Sequence, residues 1–158
     1  IKELTEGAED KAALRGKLHQ AALALAAEAE FGSQHGAVPV AAGEIEAGRK
    51  LIAGELGCTD CHRFHDAGEL GNAPDLTGYG SRAWLAKMIA NPQGERFYAG
   101  DRNDRMPAFA ADPQQPKHNL LGPQELDLVV AWLRGEWHEP ERLAADDSAK
   151  ATAEAARK

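Results

Sequence analysis

Apolar side chains recur at helical spacing along the first 31 residues of the chain. The stretch IKELTEGAEDKAALRGKLHQAALALAAEAEF is rich in Ala, Glu and Lys, and its apolar positions follow one another at steps of three, four and seven residues. These positions include Leu14, Leu18, Ala21 and Leu25, and Leu4 lies ten residues before Leu14. Because one face of a helix returns about every 3.6 residues, the spacing predicts one long amphipathic helix over residues 1–31.

Two stretches without this periodicity flank the middle of the chain, one before it and one after it. Residues 32–42 contain Gly, Pro and β-branched side chains, which predict a linker. After Pro140 the sequence ERLAADDSAKATAEAARK returns to Ala and charge, which is typical of a frayed helix or a disordered tail over 140–158. Residues 43–139 hold both cysteines, all three Trp and both Met, so we expect the chemistry of the protein in this middle zone.

Three segments of the middle zone have helical spacing as well. They are GEIEAGRKLIAGELG at 43–57, SRAWLAKMIANP at 81–92 and GPQELDLVVAWLRGEW at 122–137. Ser81 is suited to cap the second helix, and Pro123 is suited to the first position of the third. No stretch alternates with period two for long, so the sequence predicts an all-α fold.

The segments between these helices, 63–80 and 93–121, are long and rich in Gly, Pro, Asn and Asp. Loops of this length inside a compact domain are normally functional or wrap around a ligand. We therefore expect a large prosthetic group in the domain.

Composition and charge exclude several classes of protein. A chain of 158 residues with 43% apolar but only 6% aromatic residues fits one domain with a modest helical core. The formal net charge of −7 argues against a surface that binds nucleic acid. The chain begins with Ile and has no leader-like stretch, so we expect any signal peptide or membrane anchor to have been removed or to lie outside this sequence.

The stretch GCTDCH, residues 57–62, contains the only two cysteines, three positions apart, with His62 directly behind the second. A zinc site needs four ligands, and no second Cys or His pair at short spacing completes one. A thioredoxin-like pair would open a helix, whereas a helix is predicted to end here. A disulfide would close a loop of two residues and constrain little. The pattern Cys-x-x-Cys-His instead predicts covalent attachment of a c-type haem.

In this interpretation Cys58 and Cys61 each add a thiol to one vinyl group of the porphyrin as a thioether, and His62 offers a ring nitrogen to the iron. The expected cofactor is one covalent haem c. Its apolar surface would partly replace the core that a domain with few aromatic side chains lacks.

The sixth iron ligand is predicted from the two methionines. Met88 lies on the apolar stripe of the helix predicted over 81–92, and we interpret it as core packing. Met106 stands in NDRMPAF outside any periodic segment, and Pro107 fixes a turn that could aim its thioether. We predict Met106 as the ligand, with His118 as the alternative.

These motifs resemble those of the class I cytochromes c, all-helical domains around one haem. CTDCH is similar to the family's haem-binding pentapeptide, APDLTGYGSR to its loop GPNLxGxxGR, and RMPAF to the distal-ligand loop of many bacterial members. The resemblance covers about residues 43–139 and implies a class I cytochrome c fold with an additional N-terminal helix. It also implies that the Pro74 carbonyl accepts a hydrogen bond from the proximal imidazole and that Arg82 helps to neutralise a haem propionate.

The resemblance carries two further expectations about packing. Trp132, on the C-terminal helix, is expected to pack against the first helix of the domain near Gly48. The long helix over 1–31 is foreign to the compact family, so we expect it either to fold back on the haem domain or to dock in a larger assembly.

With His62 and Met106 both on the iron, no coordination position is open to a substrate, so the expected function is single-electron transfer rather than catalysis. A haem enzyme or gas sensor with an open distal position, and His118 as its polar distal group, is the alternative. A structural or docking module in which the haem exchanges no electrons is a third interpretation.

The expected partners are redox proteins that bind briefly at the exposed haem edge, with no nucleic acid and no small-molecule substrate. The pattern looks like the cytochrome c domains of membrane respiratory complexes, such as quinol-oxidising assemblies or terminal oxidases. Because thioether attachment in bacteria takes place outside the cytoplasmic membrane, we expect the domain in the periplasm or its equivalent, free or tethered by segments outside this sequence.

Overall fold

A computed structural model of the chain describes residues 11–30, 40–71, 73–99, 106–112 and 118–136. These described residues form four α-helices: α1 (Lys11–Glu28), α2 (Ala42–Lys50), α3 (Arg82–Ala90) and α4 (Pro123–Leu133). Within these residues the only β-structure is an isolated bridge between Phe64 and Ala67. The predicted all-α class is therefore confirmed. Residues 1–10, most of the predicted linker and the predicted tail lie outside the described residues.

Helix α1 forms the centre of the helix predicted over 1–31 and packs against α2. The two helices approach most closely at Gly48, where an added Cβ would lie 2.1 Å from the carbonyl oxygen of Gln20 and 2.8 Å from Ala24 Cβ. Ala21 and Ala24 are buried at this contact and share a core cluster with Ile52. Small side chains on α1 therefore let the two backbones meet, and the helix folds back on the domain.

The expected contact between Trp132 and Gly48 is wrong. Trp132 is 64% exposed on α4, and the surface beside Gly48 is occupied by α1. The reason is steric, because Gln20 and Ala24 already take the space into which a bulky aromatic side chain would have to fit. Helix α4 packs on α3 instead.

The chain leaves α2 through a short π-helical stretch, Leu51–Glu55, rather than continuing as a regular α-helix. The Leu56 amide donates to the carbonyl of Leu51 at 3.0 Å, five residues earlier, which is the hydrogen-bond spacing of a π-helix. Gly57 follows with φ of 65°, a left-handed conformation that glycine adopts at little cost. The helical segment thus ends at Gly57, as the sequence predicts, and the cysteine motif follows directly.

The starts of α3 and α4 follow the predicted capping chemistry. The Ser81 hydroxyl accepts a hydrogen bond from the Trp84 amide at 3.2 Å, which satisfies one of the first amides of α3. Pro123 occupies the first turn of α4, and the Glu125 carboxylate accepts from the Gly122 amide at 2.6 Å. In the described part of the chain no helix is long and apolar enough to cross a membrane.

The close approach at Gly48 predicts a specific cost of adding one methyl group. Gly48→Ala should lower the free energy of unfolding by about 1–3 kcal/mol, because the new Cβ must push α1 away from α2. Gly43→Ala, on the same helix, is the matched control: nothing lies within 4 Å of its new Cβ. This variant should be neutral or gain up to about 1 kcal/mol. Denaturant titration measures both, and equal stability of the two variants would contradict the contact.

Candidate functional site

The cysteine motif forms one tight turn that places its three functional side chains together. Residues Cys58–Asp60 form a 3₁₀ turn directly after Gly57. The amides of Cys61 and His62 both donate to the Cys58 carbonyl, at 3.4 and 3.0 Å. The motif therefore wraps around its own first residue, and both thiols and the imidazole line the same cavity.

This cavity has a volume of about 1210 Å³ and mostly apolar walls. It is larger than the roughly 300–1,000 Å³ of most small-molecule pockets, so it fits a large prosthetic group rather than a small metabolite. Leu56, Leu76 and Pro74 line it beside the motif, and α3 contributes Trp84 and Leu85.

Within the described part of the chain, one hydrogen bond orients the His62 ring. Its Nδ1 lies 2.7 Å from the carbonyl oxygen of Pro74, which is the contact that the resemblance implies. A carbonyl oxygen can only accept, so Nδ1 carries the proton and donates. The other ring nitrogen, Nε2, is then the one with a lone pair for a metal.

Asp75, the next residue, holds the Pro74 carbonyl in place through both its backbone and its carboxylate. Its amide donates to the Arg96 carbonyl at 2.7 Å, and its own carbonyl accepts from Trp84 Nε1 at 2.7 Å. The carboxylate accepts from the Thr77 amide at 2.8 Å and from Arg96 Nε at 2.9 Å. The peptide on which the His62 bond depends is therefore fixed on both sides.

The Asp75 carboxyl is almost fully buried, with 6% of its side chain exposed. Burial alone would raise its pKa, but the hydrogen bonds from Thr77 and the Arg96 guanidinium outweigh this and hold the pKa below its usual value. This network is not predictable from the sequence. Asp75 carries no signal beyond its place after Pro74, and Arg96 lies in a polar run with no regular pattern.

Burial also raises the pKa of the Cys58 thiol, and the nearby Asp60 carboxylate raises it further. Cys58 and Cys61 are both free, without a disulfide between them. The residues present therefore fit a covalent haem: two free thiols, an imidazole with its outer nitrogen available and a large apolar cavity.

The two methionines differ in their position relative to the cavity. Met88 is half-buried on α3 and lines the cavity, and its interpretation as core packing rather than as a ligand stays a prediction. Met106 is half-buried in the segment 106–112 and is not among the described residues that line the cavity. His118 is exposed and does not line the cavity either.

Arg82 is engaged with carboxylates at the surface between α3 and α4. Its guanidinium pairs with Asp127 and Glu136, and its side chain does not line the cavity. The arginine that lines the cavity is Arg134, just past the end of α4 and only 5% exposed. No local sequence pattern predicts that Arg134 lines the cavity, because its position depends on how α4 packs. The role of Arg82 beside a propionate stays a prediction.

Helix α1 forms one wall of the cavity, a contact that is not predicted from the sequence. Ala22, Leu25, Ala26 and Ala29, in or directly after α1, all line it. Their spacing of three, four and seven residues was visible in the sequence, but nothing local says which surface the stripe covers.

A comparison with known proteins agrees with this geometry. The family model described as cytochrome c matches residues 45–137, which include the motif, α3, α4 and most of α2. No curated protein and no solved structure matches the chain.

The buried Asp75 network predicts a measurable dependence of stability on pH. Because the pKa of Asp75 is lower in the folded state, its contribution is present above about pH 3.9 and is lost as the pH falls through the folded value. Asp75→Asn should cost about 1–3 kcal/mol at pH 7, since an amide donor would then face Arg96 Nε. It should also flatten the acid side of the stability profile.

The matched control is Asp66→Asn, an exposed carboxylate in the neighbouring turn. Free energies of unfolding measured between pH 3 and pH 7 compare the two variants. If Asp66→Asn destabilised the protein as much as Asp75→Asn, the network would not carry the effect.

Proposed function

Because this chain belongs to the cytochrome c family and so serves haem-based electron transfer, we propose that His62 and Met106 hold the iron of one haem c on its two faces. The observation that carries the proposal is the shared cavity of Cys58, Cys61 and His62. When bound, the haem supplies a one-electron iron couple. The surrounding side chains would hold and orient the haem.

Each residue of the motif has a distinct part in this proposal. The two thiols provide thioether links, so the cofactor cannot dissociate from a small domain. His62 presents Nε2 to the iron in an orientation that the Pro74 carbonyl fixes. A ligand held in one orientation changes little between oxidation states, which favours rapid electron transfer.

Two features support Met106 as the second ligand. The first is its motif, RMPAF, in which Pro107 restricts the backbone next to the thioether. The second is its attachment: the amides of Phe109 and Ala110 donate to the carbonyls of Ile89 and Ala90, at 3.3 and 3.1 Å. Ile89 and Ala90 come directly after Met88, which lines the cavity. Met106 is three residues before Phe109, and three residues of chain span at most about 10 Å, so the backbone of Met106 lies within about that distance of this part of α3.

Met88 is the second candidate for this ligand position. It carries the other thioether of the chain, and it lines the cavity from α3. A regular helix holds Met88 in place, whereas Met106 lies in an irregular segment. The two candidates are chemically identical, so a measurement on the iron ligand itself must separate them.

Single substitutions separate the two ligands. In the haem-loaded protein, Met106→Ala should abolish the weak near-red absorption band from sulfur to oxidised iron, and it should lower the reduction potential. Met88→Ala, the matched control, should keep the band and most of the potential. Absorption spectra and spectroelectrochemical titration measure both quantities. Loss of the band in Met88→Ala alone would assign the ligand to Met88 instead.

We further propose that redox partners bind at the mouth of the cavity. Cys61 is exposed there, and Tyr79 and Leu133 line the cavity while keeping 44% and 50% of their surface exposed. Transient redox contacts are small, with less than about 1,200 Å² buried in total, so a patch of this kind is sufficient. An exposed edge gives electrons a short route between partner and cofactor.

The proposed setting is a respiratory chain on the outer side of a membrane, within or next to a complex that oxidises quinol or reduces oxygen. It is supported by the resemblance of the motifs and by the covalent mode of attachment that the cysteine pair implies. The alternative, an open haem site for peroxide or a gas, needs a polar distal group, and the candidate His118 is exposed and away from the cavity wall.

The acidity of the chain predicts how charged redox reagents react with it. With a formal net charge of −7, the haem-loaded protein should attract the cation hexaammineruthenium(II) and repel the anion hexacyanoferrate(III). Raising the ionic strength should slow reduction by the cation and speed oxidation by the anion, each by roughly tenfold. Stopped-flow absorbance measures both rates. A salt dependence of the same sign for both reagents would contradict electrostatic control.

A further inference from the structure

Helix α1 lies outside the residues 45–137 that the family model matches, yet it forms part of the cavity. Its sequence has two faces. Gln20 and Ala24 face α2 at Gly48, while Ala22, Leu25, Ala26 and Ala29 line the cavity. Three of these four lining residues are alanines, whose short side chains bring the helix backbone close to the cavity.

A buried carboxylate fixes the carboxyl end of α1 to three parts of the domain. Only 5% of the Glu28 side chain is exposed. It accepts hydrogen bonds from Arg49 Nη2 at 2.9 Å, from His65 Nε2 at 2.8 Å and from the Gly78 amide at 2.8 Å. Arg49 belongs to α2, His65 follows the cysteine motif, and Gly78 belongs to the loop that leads into α3. A buried charge with three partners is costly to displace.

Arg134 also fixes this end of the helix. Its Nη1 donates to the carbonyls of Ala29 at 2.6 Å and Gly80 at 2.5 Å, and its Nη2 donates to the carbonyl of Glu30 at 3.3 Å. These carbonyls lie just past the end of α1 or in the loop before α3. Cationic donors are favourable at the carboxyl end of a helix. Arg134 itself lines the cavity, so its contacts join α1 directly to the site.

We propose that α1 is a fixed wall of the haem site, which covers one side of the cofactor and raises its reduction potential by excluding water. This inference rests on the proposed function. Burial disfavours the more highly charged oxidised state, so a wall of Ala and Leu shifts the couple toward reduction. The anchors at Glu28 and Arg134 make the wall part of the folded domain rather than a loosely attached segment.

A pair of charge substitutions at one position tests the proposal. Ala26 lines the cavity from α1, so a charge placed there lies close to the cofactor. In the haem-loaded protein, Ala26→Glu should lower the reduction potential and Ala26→Lys should raise it. The negative charge stabilises the oxidised iron, and the positive charge destabilises it.

The matched control is the same pair at Ala13, which is exposed on the same helix. Thirteen residues of helix separate the two positions by about 20 Å, well beyond the screening length of about 8 Å at physiological salt. The difference in potential between the Lys and Glu variants should be at least roughly threefold larger at Ala26 than at Ala13. Equal differences at both positions would overturn the proposal.

Amide hydrogen exchange of the unsubstituted haem-loaded protein is the second measurement. The amides of residues 22–28 should exchange slowly, as expected for a helix held in the folded domain. Rapid exchange of these amides would contradict the proposal that α1 is held against the haem site, even with the haem and its ligands intact. A mass without haem would instead contradict the proposed function, and with it this inference.

Discussion

The hydrogen bond from His62 Nδ1 to the Pro74 carbonyl, 2.7 Å long, determines which nitrogen of the ring is available to a metal. Much of the surrounding structure keeps that bond in place. On one side, the turn that begins at Gly57 carries His62 beside the two thiols. On the other side, Asp75 ties the Pro74 peptide to Trp84 and Arg96. A metal ligand on a small domain needs this support, because a freely rotating imidazole would not keep one geometry.

The cavity explains why the rest of the fold is arranged around the motif. A domain of this composition has few large apolar side chains, and the described core cluster is small: Ala21, Ala24, Ile52 and Phe64. A cavity of about 1210 Å³ with mostly apolar walls lies beside this core. A covalently held apolar cofactor supplies the missing contacts, so the fold and the cofactor depend on each other.

Local chemistry could be predicted from the sequence, whereas contacts between distant segments could not. The Ser81 cap, the Pro123 start and the Gly57 end of a helix each depend on neighbouring residues, and the structure agrees with all three. The packing of α1 at Gly48, the exposure of Trp132 and the position of Arg134 depend on which helices meet. Met88 shows the limit most clearly, because a helical stripe can face a core or a cavity with the same spacing.

The proposed function depends on one haem bound covalently through Cys58 and Cys61. Intact mass spectrometry under denaturing conditions tests it most directly on protein matured in a host that attaches c-type haem. The account predicts the mass of the polypeptide plus one haem, and loss of that added mass when both cysteines are replaced by alanine. A colourless protein with the mass of the bare polypeptide would contradict the account.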